Sequence, residues 1–349
     1  MTGDFVLLAH GGGGILGQDL VERVFLKHLG NPVLNALEDA ALIELTDEAG
    51  RLAGMPALTT DSYVVQPIFF PGGDIGKLAV CGTVNDLAMR GAQPVCMSAG
   101  FILTEGLPLR DLERVAASMA ATAELVGVRI VAGDTKVVER GSADGLFINT
   151  TGVGLVPPGV HISASAARPG DVIVVSGAVG DHGLAVMTQR EGLRFDSPLR
   201  SDCAPLNVLV KVMIEACRRC GGAATSIHAL RDPTRGGLAT TLNELAARSE
   251  VGFEIDEASV PVHEPVRAAS ELLGLDPLYV ANEGKLVAIV EEHDADALLA
   301  AMRSHPLGCE AAVIGRVVGE HRGRVVLRTL LGTRRALDML AGEQLPRIC

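Results

Sequence analysis

Tryptophan is absent from this chain of 349 residues, and aromatic residues of every kind make up only 3%, as eight Phe and two Tyr. So few ring faces leave little from which to build a base-stacking platform. Basic residues are in the minority, 30 Lys+Arg against 42 Asp+Glu, for a formal net charge of −12. An acidic chain has no overall electrostatic footprint for DNA or RNA, so no nucleic-acid partner is expected. No apolar run reaches the ~18–20 residues that a membrane span needs, and no membrane partner is expected either. The start, Met1-Thr-Gly-Asp-Phe5, lacks the basic region of a secretion signal. Cysteines number seven, an odd count without such a signal, which reads as free thiols in a reducing, cytoplasmic location.

What is present is a large reserve of small apolar side chains. Hydrophobic residues reach 48%, so the core is built from Ala, Val, Leu and Ile, and the 41 glycines are scattered among apolar segments. A chain of this length buries about three-quarters of its extended surface and forms one large or two medium domains. Residues 109–126 carry Leu112, Val115, Met119 and Val126 on one helical face, with Pro108 before and Gly127 after as helix punctuation. Further helices are predicted over 16–29, 75–90, 181–190, 205–219, 236–248, 263–273 and 294–304. Apolar runs over 56–60, 93–103, 128–138, 146–156, 172–176, 285–291 and 312–318 predict strands. The class is mixed α/β (α+β). A break at Val156-Pro157-Pro158-Gly159 divides the chain into domains 1–157 and 158–341, and the aperiodic end, 342–349, reads as a mobile tail carrying Cys349.

Four groups of residues could carry chemistry. His10-Gly11-Gly12-Gly13-Gly14 offers backbone N–H groups to a phosphate at the start of a helix, and Gly12, Gly14 and Gly17 also match a dinucleotide-binding spacing. Asp61, Asp86, Asp134 and Asp232 stand at the ends of apolar segments or in helix turns, beside Gly, Thr or Asn. Such positions are ligand sites in α/β folds. Carboxylates that converge need a hard cation, and Mg²⁺ shares oxygen ligands with nucleotide phosphates. Each aspartate alone also fits a cap or turn. Lys136, in Gly133-Asp134-Thr135-Lys136, and Glu283, in Ala281-Asn282-Glu283-Gly284-Lys285, are candidate proton-handling groups if buried, and surface charges if not. Cys217 and Cys220 form a lone C-x-x-C without a second pair at zinc spacing, which favours ordinary packing. Cys81, Cys96, Cys203 and Cys309 read as core residues. Cys349, after Pro346-Arg347-Ile348, could enter a site as a tethered carrier, with Pro346 disfavouring helix or sheet capture.

These segments resemble the HypE family of hydrogenase maturation factors along nearly the whole chain. The resemblance rests on His10–Gly14, Thr60-Asp61-Ser62-Tyr63-Val64, Phe70-Pro-Gly-Gly-Asp-Ile-Gly-Lys77 and Gly133-Asp134-Thr135-Lys136. It continues through Ser176-Gly-Ala-Val-Gly-Asp-His-Gly183, Asp232-Pro-Thr-Arg-Gly-Gly237, Ala281–Lys285 and the ending Pro346-Arg347-Ile348-Cys349. It implies a two-domain PurM-like fold shared with aminoimidazole ribonucleotide and selenophosphate synthetases, in which N-terminal sheets of a homodimer pair into a β-barrel. It also implies ATP and Mg²⁺ as cofactors. Asp61, Asp86, Asp134 and Asp232 would be the metal and phosphate carboxylates, with Asp39 less secure. His10, Gly11, Gly12, Gly13, Gly14, Lys77 and Thr135 complete the implied nucleotide site.

The activity the resemblance implies is that of a carbamoyl dehydratase. A HypF-type carbamoyltransferase loads Cys349, ATP-dependent loss of water gives a thiocyanate, and a HypC–HypD complex accepts the cyano group for the iron of [NiFe] hydrogenase. Lys136 and Glu283 would handle the nitrogen protons. Three alternatives stand beside this: a synthetase for a free small molecule, a nicotinamide-dependent oxidoreductase on the Gly12–Gly17 loop, and a metal or cluster scaffold on Cys217 and Cys220.

Overall fold

A computed structural model describes residues 5–11, 15–36, 45, 54–193, 199–219, 226–339 and 347–349. Helix α1 (Ile15–Leu20) runs through a π-helical turn, Val21–Leu26, into α2 (Lys27–Leu29), so the predicted helix over 16–29 is one winding segment. Strand β1 (Met55–Tyr63) is followed by a small hairpin of β2 (Phe69–Phe70) and β3 (Gly73–Asp74). Asp74 then caps α3 (Ile75–Met89), its carboxylate accepting from the N–H groups of Gly76 and Lys77, two of the donors a helix start leaves unpaired. Strand β4 (Gln93–Thr104), α4 (Leu109–Val126), β5 (Arg129–Val138) and β6 (Leu146–Val156) complete the first half.

These strands form a four-stranded sheet in the order β1-β6-β4-β5, with β4 and β5 parallel and the other pairs antiparallel. The parallel pair needs a crossover, and α4 supplies it. Its apolar stripe Leu112, Val115 and Met119 is fully buried, and Gly127 ends it at φ 78°, where a side chain would be strained. Helix α3 lies across the same sheet face. The opposite face is open, with Leu58 74% and Ile102 44% exposed.

The second half holds β7 (Val172–Val175), α5 (Asp181–Arg190), α6 (Asn207–Arg219), β8 (Ile227–Arg231), α7 (Gly237–Ser249), β9 (Gly252–Asp256) and α8 (Glu264–Leu273). After these come β10 (Val287–Val290), α9 (Ala295–Arg303), β11 (Ala312–Val318), β12 (Val325–Arg328) and β13 (Arg334–Ala336). Seven strands make a second sheet in the order β13-β12-β9-β11-β7-β10-β8. Every residue of β7 and β10 is buried, the pattern of strands covered on both faces.

The two halves interlock. Asn85 of α3 donates to the carbonyls of Ala204 and Glu283 and accepts from Leu206 N–H, fixing the loop before α6 and the turn before β10 against the first sheet. Val186, Cys203, Ala281 and Ile348 pack into the core of the first half. Among the described residues, no helix is long and apolar enough to cross a membrane.

Candidate active site

The interlock creates a cleft between the end of β1, helix α3 and the two loops that Asn85 holds. On β1, the residues paired with β6 alternate between faces, and Asp61 and Thr59 point toward α3. The Thr59 hydroxyl donates to Asp86 at 2.7 Å, and the Tyr63 hydroxyl donates to Asp61 at 2.9 Å. Tyr63 fits because residue 82 is a glycine: a Cβ there would lie 2.2 Å from the phenol oxygen. Burial, then the Asp61 charge, pushes the Tyr63 phenol well above its usual range.

Asp232 reaches the same cleft from the turn after β8. Burial first, and the Asp86 charge second, raise its carboxyl to about 7. Asp86 is likewise raised, chiefly by burial. Glu283 completes the cluster, and its placement explains the surrounding motif. Asp202 accepts from the N–H groups of Glu283 at 3.0 Å and Gly284 at 3.2 Å and pairs with Lys285 at 3.3 Å. A Cβ on Gly284 would sit 1.9 Å from the Asp202 carbonyl, so this turn admits only glycine. Asn282 ties the turn to its neighbours, accepting from Gly180 N–H and donating to the Pro233 carbonyl. Glu283 is raised well above the carboxylate range, mainly by burial and then by Cys203, Asp232, Asp202 and Asp61, and its buried Oε1 has no hydrogen-bond partner. A buried acceptor left unpaired costs about 1–3 kcal/mol, and this oxygen is free to accept one further hydrogen bond.

Asp61, Asp86 and Asp232 therefore meet, as the four-aspartate reading expected, and Glu283 joins them. Asp134 does not. It lies on β5, and the register Asp134↔Gly100↔Asn149↔Ser62 puts three strand spacings between it and β1, about 14 Å. Lys136 follows it on the same strand, exposed, 3.9 Å from the Asp134 carboxylate. The convergence expected within one chain fails here because β1 and β5 are opposite edges of the sheet. Among the described residues no three His, Cys, Asp or Glu side chains could grip a metal ion together. The donor set still fits Mg²⁺, which is commonly held by one or two carboxylates plus substrate phosphates rather than by an all-protein cage.

Asp134, Thr135 and Lys136 line a cavity of about 670 Å³ between β5 and the α1–α2 segment, floored by Phe25, Phe101 and Ile130. His10 also faces it, its Nδ1 accepting from Leu7 N–H within the 3₁₀ turn Leu8–Gly11. Gly12, Gly13, Gly14 and Asp39 lie outside the described residues. Lys77 donates to the Gly72 carbonyl at 3.1 Å.

The last three residues contradict the expectation of an uncaptured end. Val64 and Gln66, just past β1, donate their N–H groups to a terminal carboxylate oxygen of Cys349 and to the carbonyl of Arg347, so the tail pairs like an added strand. Ile348 is buried in the core, and Cys349 packs half-buried against it. Pro346 lies outside the described residues, and its missing N–H does not bear on 347–349. No role for His182 and Arg190 of α5, which bond to this end, or for Asp202 follows from the sequence, since their partners are 19 to 166 positions away. Tyr63 has its partner Asp61 two positions away, inside one motif, but that spacing alone assigns it no role. Cys217 is buried in α6, Cys220 lies outside the described residues, and Cys309 is exposed rather than core.

Residues 37–156 match the N-terminal domain of AIR synthase related proteins, and residues 168–328 match the C-terminal domain. The carbamoyl dehydratase HypE of Azotobacter vinelandii is 53% identical over 344 residues, 99% of this chain and 97% of that protein. A crystal structure of the hydrogenase maturation protein HypE in complex with ATP superposes with a TM-score of 0.91 at 52% identity, covering 98% of this chain and 99% of that one. A structure of a HypE–HypF complex gives 0.78 at 48% identity, over 92% and 99% of the two chains.

Proposed function

The chain belongs to the HypE family of carbamoyl dehydratases of hydrogenase maturation, and from that premise we propose that it uses ATP to dehydrate a carbamoyl group on its own Cys349. The observation that carries this reading is the docking of Arg347-Ile348-Cys349 against Val64–Gln66, the segment that directly follows Asp61 and Tyr63 on β1.

A thiocarbamate does not lose water readily, because its oxygen is a poor leaving group. Transfer of the γ-phosphoryl group of ATP to that oxygen, with loss of one nitrogen proton, converts it into a phosphate ester. Loss of the second nitrogen proton then expels phosphate and leaves the S-cyano group. Water is removed as phosphate, and ATP ends as ADP. Glu283 is the base, since burial makes its ionised form more basic than a surface carboxylate. One or two of Asp61, Asp86 and Asp232, together with the nucleotide phosphates, would hold Mg²⁺, which when bound neutralises phosphate charge and orients the transfer. His10–Gly14 and the Asp134–Lys136 strand are the nucleotide side of the site, with Lys77 at its margin.

The distance across the sheet supports a role for Lys136 in the site of a second copy. A homodimer that joins the first sheets edge to edge into a barrel brings β5 of one copy beside β1 of the other. The open sheet face with Leu58 and Ile102 supports such pairing. Each site is then completed by Asp134 and Lys136 of the partner subunit, with Lys136 as the base or electrostatic partner for the nitrogen protons. Residues 1–157 form the nucleotide and dimer domain, 158–341 the second domain, and 342–349 the carrier arm. A HypF-type enzyme supplies the carbamoyl group, and a HypC–HypD complex takes the cyano group for the hydrogenase iron.

Intact-mass spectrometry after incubation with the carbamoyltransferase and Mg-ATP tests the reading. A carbamoyl adduct on Cys349 should lose one water only when ATP is present. An adduct that forms and never loses water with ATP would refute it.

A further inference from the structure

Besides an ion pair of the Arg347 side chain with Asp144, the tail is held by its main chain. His182 Nε2 bonds to the Ile348 carbonyl at 2.6 Å, and Arg190 Nη2 bonds to the Arg347 carbonyl at 2.7 Å. Gln66 N–H reaches the Arg347 carbonyl and Val64 N–H a terminal carboxylate oxygen of Cys349, so each of the three terminal residues has a donor to its main-chain oxygen. Arg190 also donates through Nε to the Gln66 carbonyl at 2.8 Å, bridging the tail and the strand it pairs with.

His182 is built for this contact. Its ring is fully buried at the start of α5, with Phe70 edge-on at 5.4 Å. A carbonyl only accepts, so Nε2 carries the proton, and Nδ1 accepts from the Ser201 hydroxyl at 2.8 Å. Ser201 Oγ in turn accepts from Cys203 N–H, which fixes the ring's orientation. Burial lowers the His182 pKa and keeps the ring neutral. If the tail leaves, Nε2–H loses its partner inside the protein, a cost that favours return.

We propose that His182 and Arg190 are a main-chain clamp that docks the tail in one register, and that they act as positioning residues for dehydration at Cys349. This rests on the Cys349 reading above. The four bonds go to main-chain oxygens, three carbonyl and one terminal carboxylate, and the one buried tail side chain is Ile348. The clamp therefore holds the same tail whether the sulfur is bare, carbamoylated or cyanated, which suits an arm that must be reloaded after every turnover.

The test uses full-length His182→Leu, His182→Gln and Arg190→Ala. Alkylation by iodoacetamide is followed on the Cys349 peptide by mass spectrometry, with exposed Cys309 as the internal reference. Loss of one docking hydrogen bond should speed Cys349 alkylation roughly tenfold in His182→Leu and Arg190→Ala without changing Cys309, while the glutamine amide N–H should restore most of the protection. In a single turnover, protein already carbamoylated on Cys349 should dehydrate several-fold more slowly in the two disrupted variants. Arg190 is at the partly exposed end of α5, so its variant reports even if His182→Leu misfolds. Unchanged alkylation of Cys349 in Arg190→Ala and in a folded His182 variant would overturn the clamp. Faster alkylation with wild-type dehydration would overturn the positioning role. If wild-type protein fails to dehydrate, the function proposed above falls, while the alkylation ratios still decide the clamp.

Discussion

Replacing Asp232 by asparagine should give a protein that is more stable at pH 8 and catalytically dead. In the fold this carboxyl loses its proton at about 7, against a reference of 3.8, because burial and the Asp86 charge oppose ionisation. Between those values the folded protein keeps a proton that the unfolded chain has released. Raising the pH through this window therefore favours unfolding; the penalty is absent below about 4 and complete above about 7. The full shift corresponds to roughly 4 kcal/mol. Asp86, itself raised, is coupled to Asp232, so removing one member relieves part of the shift, about 2 kcal/mol. Urea denaturation midpoints of wild type and Asp232→Asn, measured in EDTA from pH 4 to pH 8, give the difference directly. The two proteins should coincide near pH 4 and diverge progressively, with Asp232→Asn above wild type by pH 8. Saturating Mg-ATP should narrow the gap by stabilising wild type alone. A pH-independent difference, or a less stable variant at pH 8, would refute the electrostatic account of the cleft.

Three further outcomes follow from the geometry. Lys136→Ala and Glu283→Gln should each be inactive, yet mixing them by co-refolding should restore about a quarter of wild-type dehydration, since half the dimers are mixed and each has one intact composite site; no recovery would place both residues in one chain. Cys349→Ala should leave the urea midpoint and nucleotide affinity within error of wild type while no cyano adduct appears by intact mass. Gly82→Ala should destabilise the protein by about 2–3 kcal/mol, since the new Cβ meets the Tyr63 phenol oxygen at 2.2 Å, and Gly82→Ala combined with Tyr63→Phe should recover part of that loss in the same denaturation assay.

Legibility in the sequence followed the range of the interactions. Helix α4 was readable to the residue because Pro108, Gly127 and the Leu112-Val115-Met119 stripe are all local. Strand β1 runs three residues beyond the stretch over 56–60, because Asp61 and Ser62 break the pattern while the β6 ladder continues through them to Tyr63. The motif around Glu283 was visible, but the reason for its glycine was not, since Asp202 approaches from 82 positions away. Asp134 resembled the other aspartates in every local respect, and only the strand order sets it apart. The tail's capture was hidden for a similar reason: its donors, at Val64, Gln66, His182 and Arg190, come from two separate segments.

The absence of tryptophan gives the Tyr63–Asp61 hydrogen bond an optical consequence. With two tyrosines and no indole to collect their excitation, the ultraviolet emission of the native protein is phenolic. Tyr279 donates to the Asp338 carbonyl, remote from the cleft, whereas Tyr63 donates to a carboxylate inside it. A carboxylate accepts the proton of an excited phenol and quenches it. A ligand or cation that engages Asp61 should therefore brighten Tyr63, and occupancy of the cleft can be followed without a label.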